Sequence, residues 1–251
     1  MSWGWRIPFL SSIILIGLSM YVQLTLEDTP AFRDLQAKST PAEKTEKSPV
    51  LEVIQSNPKQ ILLAAGAFLA VQVTFYIVVA FLPAYGANPD GLNLSRNTML
   101  AAVLISSFVQ IPTLFWAAAY SDKHGRRGIY MAGAILGGLF AFAMFPLIDT
   151  GNFWLIVLAM SGAQVFLSLM YGPQAAFLTE LFSTKVRYSG ASLGYQLGAI
   201  LGGAMTPIIA TALWSDFGAF YISVYIAFAS LLTLGSVLLL TETRGTNLEE
   251  V

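Results

Sequence analysis

Residues 60–82 read QILLAAGAFLAVQVTFYIVVAFL, a run that contains no Asp, Glu, Lys or Arg. A helix rises 1.5 Å per residue, so a run of this length covers the roughly 30 Å hydrocarbon layer of a membrane. Similar charge-free runs follow it as far as Thr241, and another precedes it. The sequence therefore predicts an all-α membrane protein with seven transmembrane helices, near residues 7–26, 60–82, 98–120, 128–148, 153–178, 188–213 and 217–240.

The composition agrees with a chain that is embedded in lipid. It is 56% hydrophobic and only 11% charged, with a mean hydropathy of +0.67. The net charge of −1 gives no reason to expect a nucleic-acid partner. The chain has no cysteine, and its single histidine, His124, lies in a charged loop. Cysteine and multi-histidine metal sites are therefore excluded, and we expect neither a metal nor a cofactor.

The loops between the predicted spans indicate how the chain crosses the membrane. Lys and Arg near span ends are retained on the cytoplasmic side. One set of alternate loops holds only Arg6 and Arg96, so we expect the C-terminus to be cytoplasmic and the N-terminus to lie outside. The opposite set holds Arg33, Lys38, Lys44, Lys47, Lys59, Lys123, Arg126, Arg127, Lys185, Arg187 and Arg244.

With this orientation Met1 must lie outside, but the few residues before the first span contain nothing that would carry it across the membrane. The sequence after Leu26 also lacks the small-residue cleavage site of a signal peptide. We therefore interpret the chain as the C-terminal portion of a larger transporter that needs further, N-terminal helices to function. The predicted organisation is a last helix of an N-terminal bundle (1–26), a charged and proline-interrupted cytoplasmic linker (27–59), a six-helix bundle (60–241) and a cytoplasmic tail (242–251).

The loop between the third and fourth spans reads SDKHGRR over residues 121–127. A tight turn built on Gly125 would join two antiparallel helices there, and the basic residues would stay in the cytoplasm. The spacing of Asp122, Lys123, Gly125, Arg126 and Arg127 resembles the signature loop of the major facilitator superfamily. Ala118 stands where that pattern has its first glycine, and it is also small.

Four further segments resemble a narrower group of that superfamily, the metabolite:proton symporters, which carry shikimate, alpha-ketoglutarate, citrate, proline and betaine. They are GWRIPF at 4–9, LEDTPAF at 26–32, YGPQAAF at 171–177 and RYSGASLGYQ at 187–196. The resemblance implies helices 6–12 of the major facilitator fold. It also implies a multi-pass inner-membrane symporter that moves a small organic solute with protons by alternating access.

The next cytoplasmic loop places Glu180 at the end of the fifth span and Arg187 at the start of the sixth. In the superfamily pattern this loop packs beside the signature loop. We expect Asp122 to lie near the positive N-terminal end of the sixth span, and Arg126 or Arg127 near Glu180. Contacts that exist only while the cytoplasmic side is closed would favour the outward-open state.

Glycines recur every fourth residue along the sixth span, at Gly190, Gly194, Gly198 and Gly202. This spacing puts them on one helix face, where another backbone can approach closely. The face could serve static packing, or it could let helices slide during alternating access. The two interpretations are compatible.

Polar residues within the spans are the candidates for a substrate cavity, because they are costly in hydrocarbon. For each glutamine, a hydrogen bond that only holds the bundle together is the alternative. Asp, Glu, Lys and Arg are missing from the middle of every span, so a proton-binding group and a cationic partner for an organic anion would come from the missing helices. The candidates are Gln72, Tyr76, Gln110, Gln164, Tyr171, Gln174, Tyr195 and Gln196.

Other classes of membrane protein fit less well. The spans contain no lysine for a retinal Schiff base and none of the residue sets of an intramembrane protease, so we do not expect an enzyme. A seven-helix receptor stays formally open. A truncated, non-transporting product of a carrier gene is the stronger alternative.

Overall fold

The computed structural model describes residues 3–4, 6–26 and 49–243, and every regular element in these ranges is helical. The chain divides into two compact units, Met1–Glu46 and Lys47–Val251. The first unit contains helix α1. The second contains a short helix α2 and six long helices. Their bounds are α1 Arg6–Thr25, α2 Pro49–Ser56, α3 Pro58–Ala87, α4 Arg96–His124, α5 Arg126–Asp149, α6 Phe153–Thr179, α7 Arg187–Phe217 and α8 Ala219–Leu239.

Helices α3 to α8 match the last six predicted spans. Each has 21 to 31 residues and is apolar enough to cross a membrane. In α1 the apolar stretch is shorter, Phe9–Thr25, so the predicted total of seven transmembrane helices is not confirmed. The described part of the chain supports six.

The helix boundaries follow from local sequence. Pro58 begins α3, where a missing backbone N–H costs nothing. The Ser95 hydroxyl accepts a hydrogen bond from the backbone N–H of Thr98, and the Asn152 side chain accepts from the first turn of α6. Both are N-caps of the usual kind, because their side-chain oxygens satisfy N–H groups that have no partner inside the helix.

The six long helices pack as a bundle in which α3 lies between α7 and α8, and α6 lies between α4 and α5. Contact between α5 and α8 joins the two groups, and α3 also touches α6. The helices alternate in direction. The end of the bundle where α4, α6 and α8 finish, and α5 and α7 begin, carries most of the Lys and Arg residues. We call it the basic end, and the other the far end.

The predicted glycine face of α7 is its contact with α3. A Cβ atom on Gly194 would lie 2.6 Å from Ala64 Cβ, and one on Gly202 would lie 2.8 Å from the carbonyl oxygen of Leu69. Gly198 meets Phe68 and Ala65 in the same way, whereas Gly190 faces the ring of Phe182. Larger residues would force the helices apart, so the face serves close packing. Sliding along it stays a prediction.

Two helices contain π-helical turns that the sequence analysis did not anticipate. They span Ile77–Phe81 in α3 and Ala199–Ala204 in α7. In each helix a proline follows shortly after, Pro83 and Pro207. Proline lacks a backbone N–H and clashes with the preceding turn, and a wider turn is one way to relieve that conflict.

Most of the predicted linker, residues 27–48, lies outside the described residues, as does the end of the predicted tail, residues 244–251. The rest of the linker is largely helical. Helix α2 buries Val53 completely, and Glu52 Oε1 lies 2.7 Å from Lys185 Nζ in the loop before α7. This short helix is therefore tied to the basic end of the bundle.

Candidate functional site: a charged turn and two polar cavities

The predicted tight turn on Gly125 is confirmed. Helix α4 ends at His124 and α5 begins at Arg126, so one residue separates them. Gly125 has φ +103°, a backbone conformation that L side chains rarely adopt. The helices can reverse direction in so short a space because this position is glycine.

Arg126 is the centre of the charge cluster at the basic end. Its Nε lies 2.9 Å from Glu180 Oε2 at the end of α6, and its Nη1 lies 2.6 Å from Asp122 Oδ1 in the last turn of α4. Nη2 donates a further hydrogen bond of 2.9 Å to Glu180 Oε1. The forked guanidinium therefore binds Glu180 through both carboxylate oxygens while it also holds Asp122.

The two ion pairs of Arg126 differ in exposure. The side chains of Arg126 and Glu180 are 13% and 20% exposed, whereas that of Asp122 is 63% exposed. Attraction between charges is screened strongly by water at the surface and weakly in the interior. The Arg126–Glu180 pair is therefore the stronger link, and it joins the start of α5 to the end of α6.

Glu242 completes the turn from the other end of the chain. Its two carboxylate oxygens accept hydrogen bonds of 2.9 and 3.0 Å from the backbone N–H groups of Arg126 and Arg127. These N–H groups belong to the first turn of α5 and have no acceptor within the helix. A carboxylate there also interacts favourably with the positive end of the helix dipole. Glu242 therefore caps α5.

Thr243 and Arg127 strengthen the link to the end of α8. The Thr243 hydroxyl donates a 2.5 Å hydrogen bond to Glu180 Oε2. The guanidinium of Arg127 donates to the carbonyl oxygens of Val237 and Leu238, at 3.1 and 2.6 Å. The signature turn is thus connected to the ends of two other long helices.

The structure brings some of the predicted cluster residues together and leaves others apart. Glu180 binds Arg126, one of the two partners expected for it. Asp122 pairs with Arg126, and among the hydrogen bonds of the described residues none joins it to the N-terminus of α7. Arg187 donates to the Phe182 carbonyl and the Thr184 hydroxyl, so it fixes its own loop. Lys123 is exposed.

A cavity of about 450 Å³ lies between α6 and α7, toward the basic end. Its wall contains four of the predicted substrate residues and the Ser192 hydroxyl. One of the four, Gln174, is only 3% exposed, and its side-chain oxygen Oε1 has no hydrogen-bond partner among the described residues. A buried amide oxygen that lacks a partner is costly, and a role in ligand binding is one explanation for it. The four are Tyr171, Gln174, Tyr195 and Gln196.

A second cavity, of about 330 Å³, adjoins the first deeper in the bundle. Tyr171 and Tyr195 line both cavities, so these two rings form a shared wall. Gln72 and Tyr76 of α3 and Gln110 of α4 complete the polar part of the lining. Polar groups of the two adjoining cavities therefore come from four helices, α3, α4, α6 and α7.

Gln164 lies apart from the other seven predicted cavity residues. Its side chain is fully buried in the bundle and contributes to the wall of neither cavity. Within the described residues, both polar atoms of its side-chain amide lack a hydrogen-bond partner. A contact between Gln164 and the substrate therefore stays a prediction that neither cavity supports.

Sequence reasoning missed Glu242 and Thr243, which it assigned to a tail. Both lie within four residues of the end of α8, and Glu242 is an acid within reach of the basic end. That position was a usable signal, since a carboxylate beside a helix N-terminus is a common cap. The sequence does not indicate which helix Glu242 caps, because the capped residues lie 116 and 115 positions earlier in the chain.

A bundle of membrane-spanning helices, with polar cavities between them and a charged turn at one end, is typical of helical transporters. A model of the Major Facilitator Superfamily matches residues 1–191 and 90–250. The chain belongs to this superfamily.

Curated relatives agree with the predicted group. The chain is 35% identical to an inner membrane metabolite transport protein of Escherichia coli and 32% identical to the shikimate transporter of that species. These alignments cover 99% and 97% of the chain, and 56% of each relative. A citrate-proton symporter of Salmonella typhi is 30% identical over 84% of the chain and 47% of its own length.

The resemblance to the metabolite:proton symporter group is therefore confirmed, and the chain is a multi-pass inner-membrane protein. It spans a little over half the length of the first two of these relatives.

Proposed function

We propose that this chain supplies the C-terminal helices of a secondary active transporter that moves a small organic metabolite together with protons. The observation that carries the proposal is the pair of adjoining cavities whose shared wall is Tyr171 and Tyr195. Phenol and amide groups can bind hydroxyl and carboxylate oxygens. Such groups suit a shikimate-like or carboxylate solute.

In this proposal the chain forms one side of the substrate site. Every polar residue of the two cavities is uncharged. An organic anion needs cationic partners, and proton coupling needs a titratable group on the pathway. We assign the cationic partner and the titratable group to helices outside this chain. These helices correspond to the part of the relatives that this chain does not cover. Helix α1 is then the last helix of that half, and residues 27–59 are the linker.

The charged turn has a separate role. With the basic end in the cytoplasm, as the distribution of Lys and Arg favours, the cluster around Arg126 lies at the cytoplasmic mouth of the cavities. Asp122 is exposed, and among the described residues it is held through Arg126 alone, so it can exchange partners when the mouth opens. Glu180 and Glu242 keep the helix ends of this half together throughout the cycle, as rigid-body alternating access requires.

The first experiment places an epitope tag after Val251 at the gene's own locus and measures the product. A band near the 27.1 kDa of this chain would mean that the chain is made as it stands. A band of roughly 45–50 kDa would mean that it is part of a two-bundle carrier. Uptake of labelled shikimate and citrate, with and without an imposed proton gradient, is then measured for whichever product is found.

The competing proposal is a truncated product that does not transport. The specific observation in its favour is that the relatives are almost twice as long as the chain. A 27.1 kDa product that reaches the membrane but accumulates no solute would establish it. Accumulation that collapses when the proton gradient is removed would establish the carrier.

A further inference from the structure

The buried side-chain N and O atoms that lack a hydrogen-bond partner, within the described part of the chain, all lie on helix α6. They are Ser161 Oγ, both amide atoms of Gln164, and Gln174 Oε1. Gln174 lines the larger cavity, so the proposed transport function gives it a role. Ser161 and Gln164 contribute to the wall of neither cavity, so the proposed transport function leaves them unexplained.

Helical spacing places these groups on one side of α6. Ser161, Gln164 and Ser168 are three and four residues apart, which brings them to neighbouring positions on one face. The Ser168 hydroxyl donates to the Gln164 carbonyl at 2.7 Å and keeps its acceptor capacity. Tyr171, one turn further on, lines both cavities. A polar stripe therefore runs from the shared wall into the core of the bundle.

The packing of α6 against α4 fixes the depth of this stripe. The two helices run in the same direction, and a Cβ atom on Gly172 would lie 2.8 Å from the backbone nitrogen of Ala118. Gln164 lies eight residues earlier, about 12 Å nearer the far end. On α4 that depth corresponds to Gln110, which lines the second cavity. Ser106, which is fully buried and whose hydroxyl donates to the Val103 backbone carbonyl, lies about 6 Å further toward the far end, at the depth of Ser161.

We propose that water molecules are bound in the core of the bundle around Gln164 and Ser161, between the depths of Gln110 and Ser106 on α4. A buried amide has two N–H donors and an oxygen acceptor, and leaving all of them without partners is costly. Bound waters in proteins typically make about three hydrogen bonds to such groups. Such waters are exchangeable, so they can change partners when the helices move.

The test is X-ray radiolytic labelling of the full chain in lipid nanodiscs, read by mass spectrometry. Radicals formed from bound water oxidise neighbouring side chains even where bulk solvent is absent. Met160 is fully buried and lies one helical turn from Gln164, so it is the reporter. Met144 and Met170, each 1% exposed, are matched buried controls.

We expect Met160 to be oxidised several-fold faster than Met144 and Met170. Gln164→Leu removes the polar centre of the site and should bring Met160 down to the rate of the controls. Gln196→Leu, at an exposed glutamine of α7, should leave the rate unchanged. If Met160 in the unmodified chain is oxidised no faster than Met144, the proposal is wrong. That comparison requires neither a folded variant nor any transport activity.

Discussion

The charge cluster at the basic end and the cavities between the helices use polar groups in opposite ways. In the cluster, Arg126, Glu180 and Glu242 each bind a partner on another element of the same bundle. In the cavities, the Gln174 oxygen has no partner in the described residues. The cluster is a finished structural unit. The cavity lining, by contrast, contains a polar atom whose hydrogen bond no described residue satisfies.

This difference predicts that substitutions in the cluster reduce stability, whereas substitutions in the cavities reduce transport. Arg126→Ala should have the largest effect on stability, because it leaves the mostly buried Glu180 without its cation. Breaking a buried pair costs about 3–5 kcal/mol, and partial exposure reduces this to roughly 2 kcal/mol here. The free energy of unfolding, measured by SDS titration in mixed micelles, checks it.

The control for Arg126→Ala is Lys185→Ala, which breaks the exposed pair with Glu52. Exposed pairs contribute about 0–1 kcal/mol, so this change should be small. Equal losses from the two variants would mean that burial does not distinguish the cluster from ordinary surface charges.

Glu242→Ala should have the next largest effect. It removes the acceptor for two N–H groups of α5, and the loss of an N-cap costs about 1 kcal/mol. Glu242→Gln keeps one side-chain oxygen acceptor but loses the favourable interaction of the charge with the helix dipole. It should therefore lower the free energy of unfolding by about half as much as Glu242→Ala. The same unfolding titration measures both. An unchanged midpoint for Glu242→Ala would show that water caps α5 equally well.

Asp122→Asn should hardly change stability, by less than about 0.5 kcal/mol, because its carboxylate is mostly exposed. Transport by the intact carrier should nevertheless fall while the amount of protein in the membrane stays the same. Uptake normalised to the tagged protein in isolated membranes measures this. Unchanged uptake would rule out a role for Asp122 in the transport cycle.

Gln174→Met should have the smallest effect on stability, and the free energy of unfolding should stay the same or rise slightly. It replaces an unpartnered oxygen with an apolar side chain of similar length, and functional sites commonly sacrifice stability in this way. Uptake by the intact carrier should fall by about ten-fold or more, because the proposed function makes Gln174 a substrate contact. Tyr171→Phe is the companion variant. A marked loss of stability from Gln174→Met, with normal uptake, would identify Gln174 as a packing residue.

Much of the fold could be predicted because its signals are local. Charge-free length located α3 to α8, and Gly125 located the turn between α4 and α5. Spacing of four residues identified the glycine face of α7. The π-helical turns were missed, because a proline after an apolar run is compatible with a kink, a break or a wider turn.

The site could be predicted only in part. Glutamine and tyrosine are costly in hydrocarbon, which singled out seven residues that line the cavities. The same reasoning also selected Gln164, because depth along a helix does not say which way a side chain points. The link from Glu180 to Arg126 was anticipated from the superfamily pattern, whereas Thr243 and Glu242 depend on how α8 ends beside α5.

The cap that Glu242 places on α5 has a consequence for how the protein is made. The ribosome synthesises the turn at Gly125 long before it reaches Glu242, and the two are adjacent only once α8 is in place. Until then, the first N–H groups of α5 must be satisfied by solvent or lipid headgroups. Termination of synthesis before Glu242 would therefore leave six complete apolar helices with an unfinished signature turn.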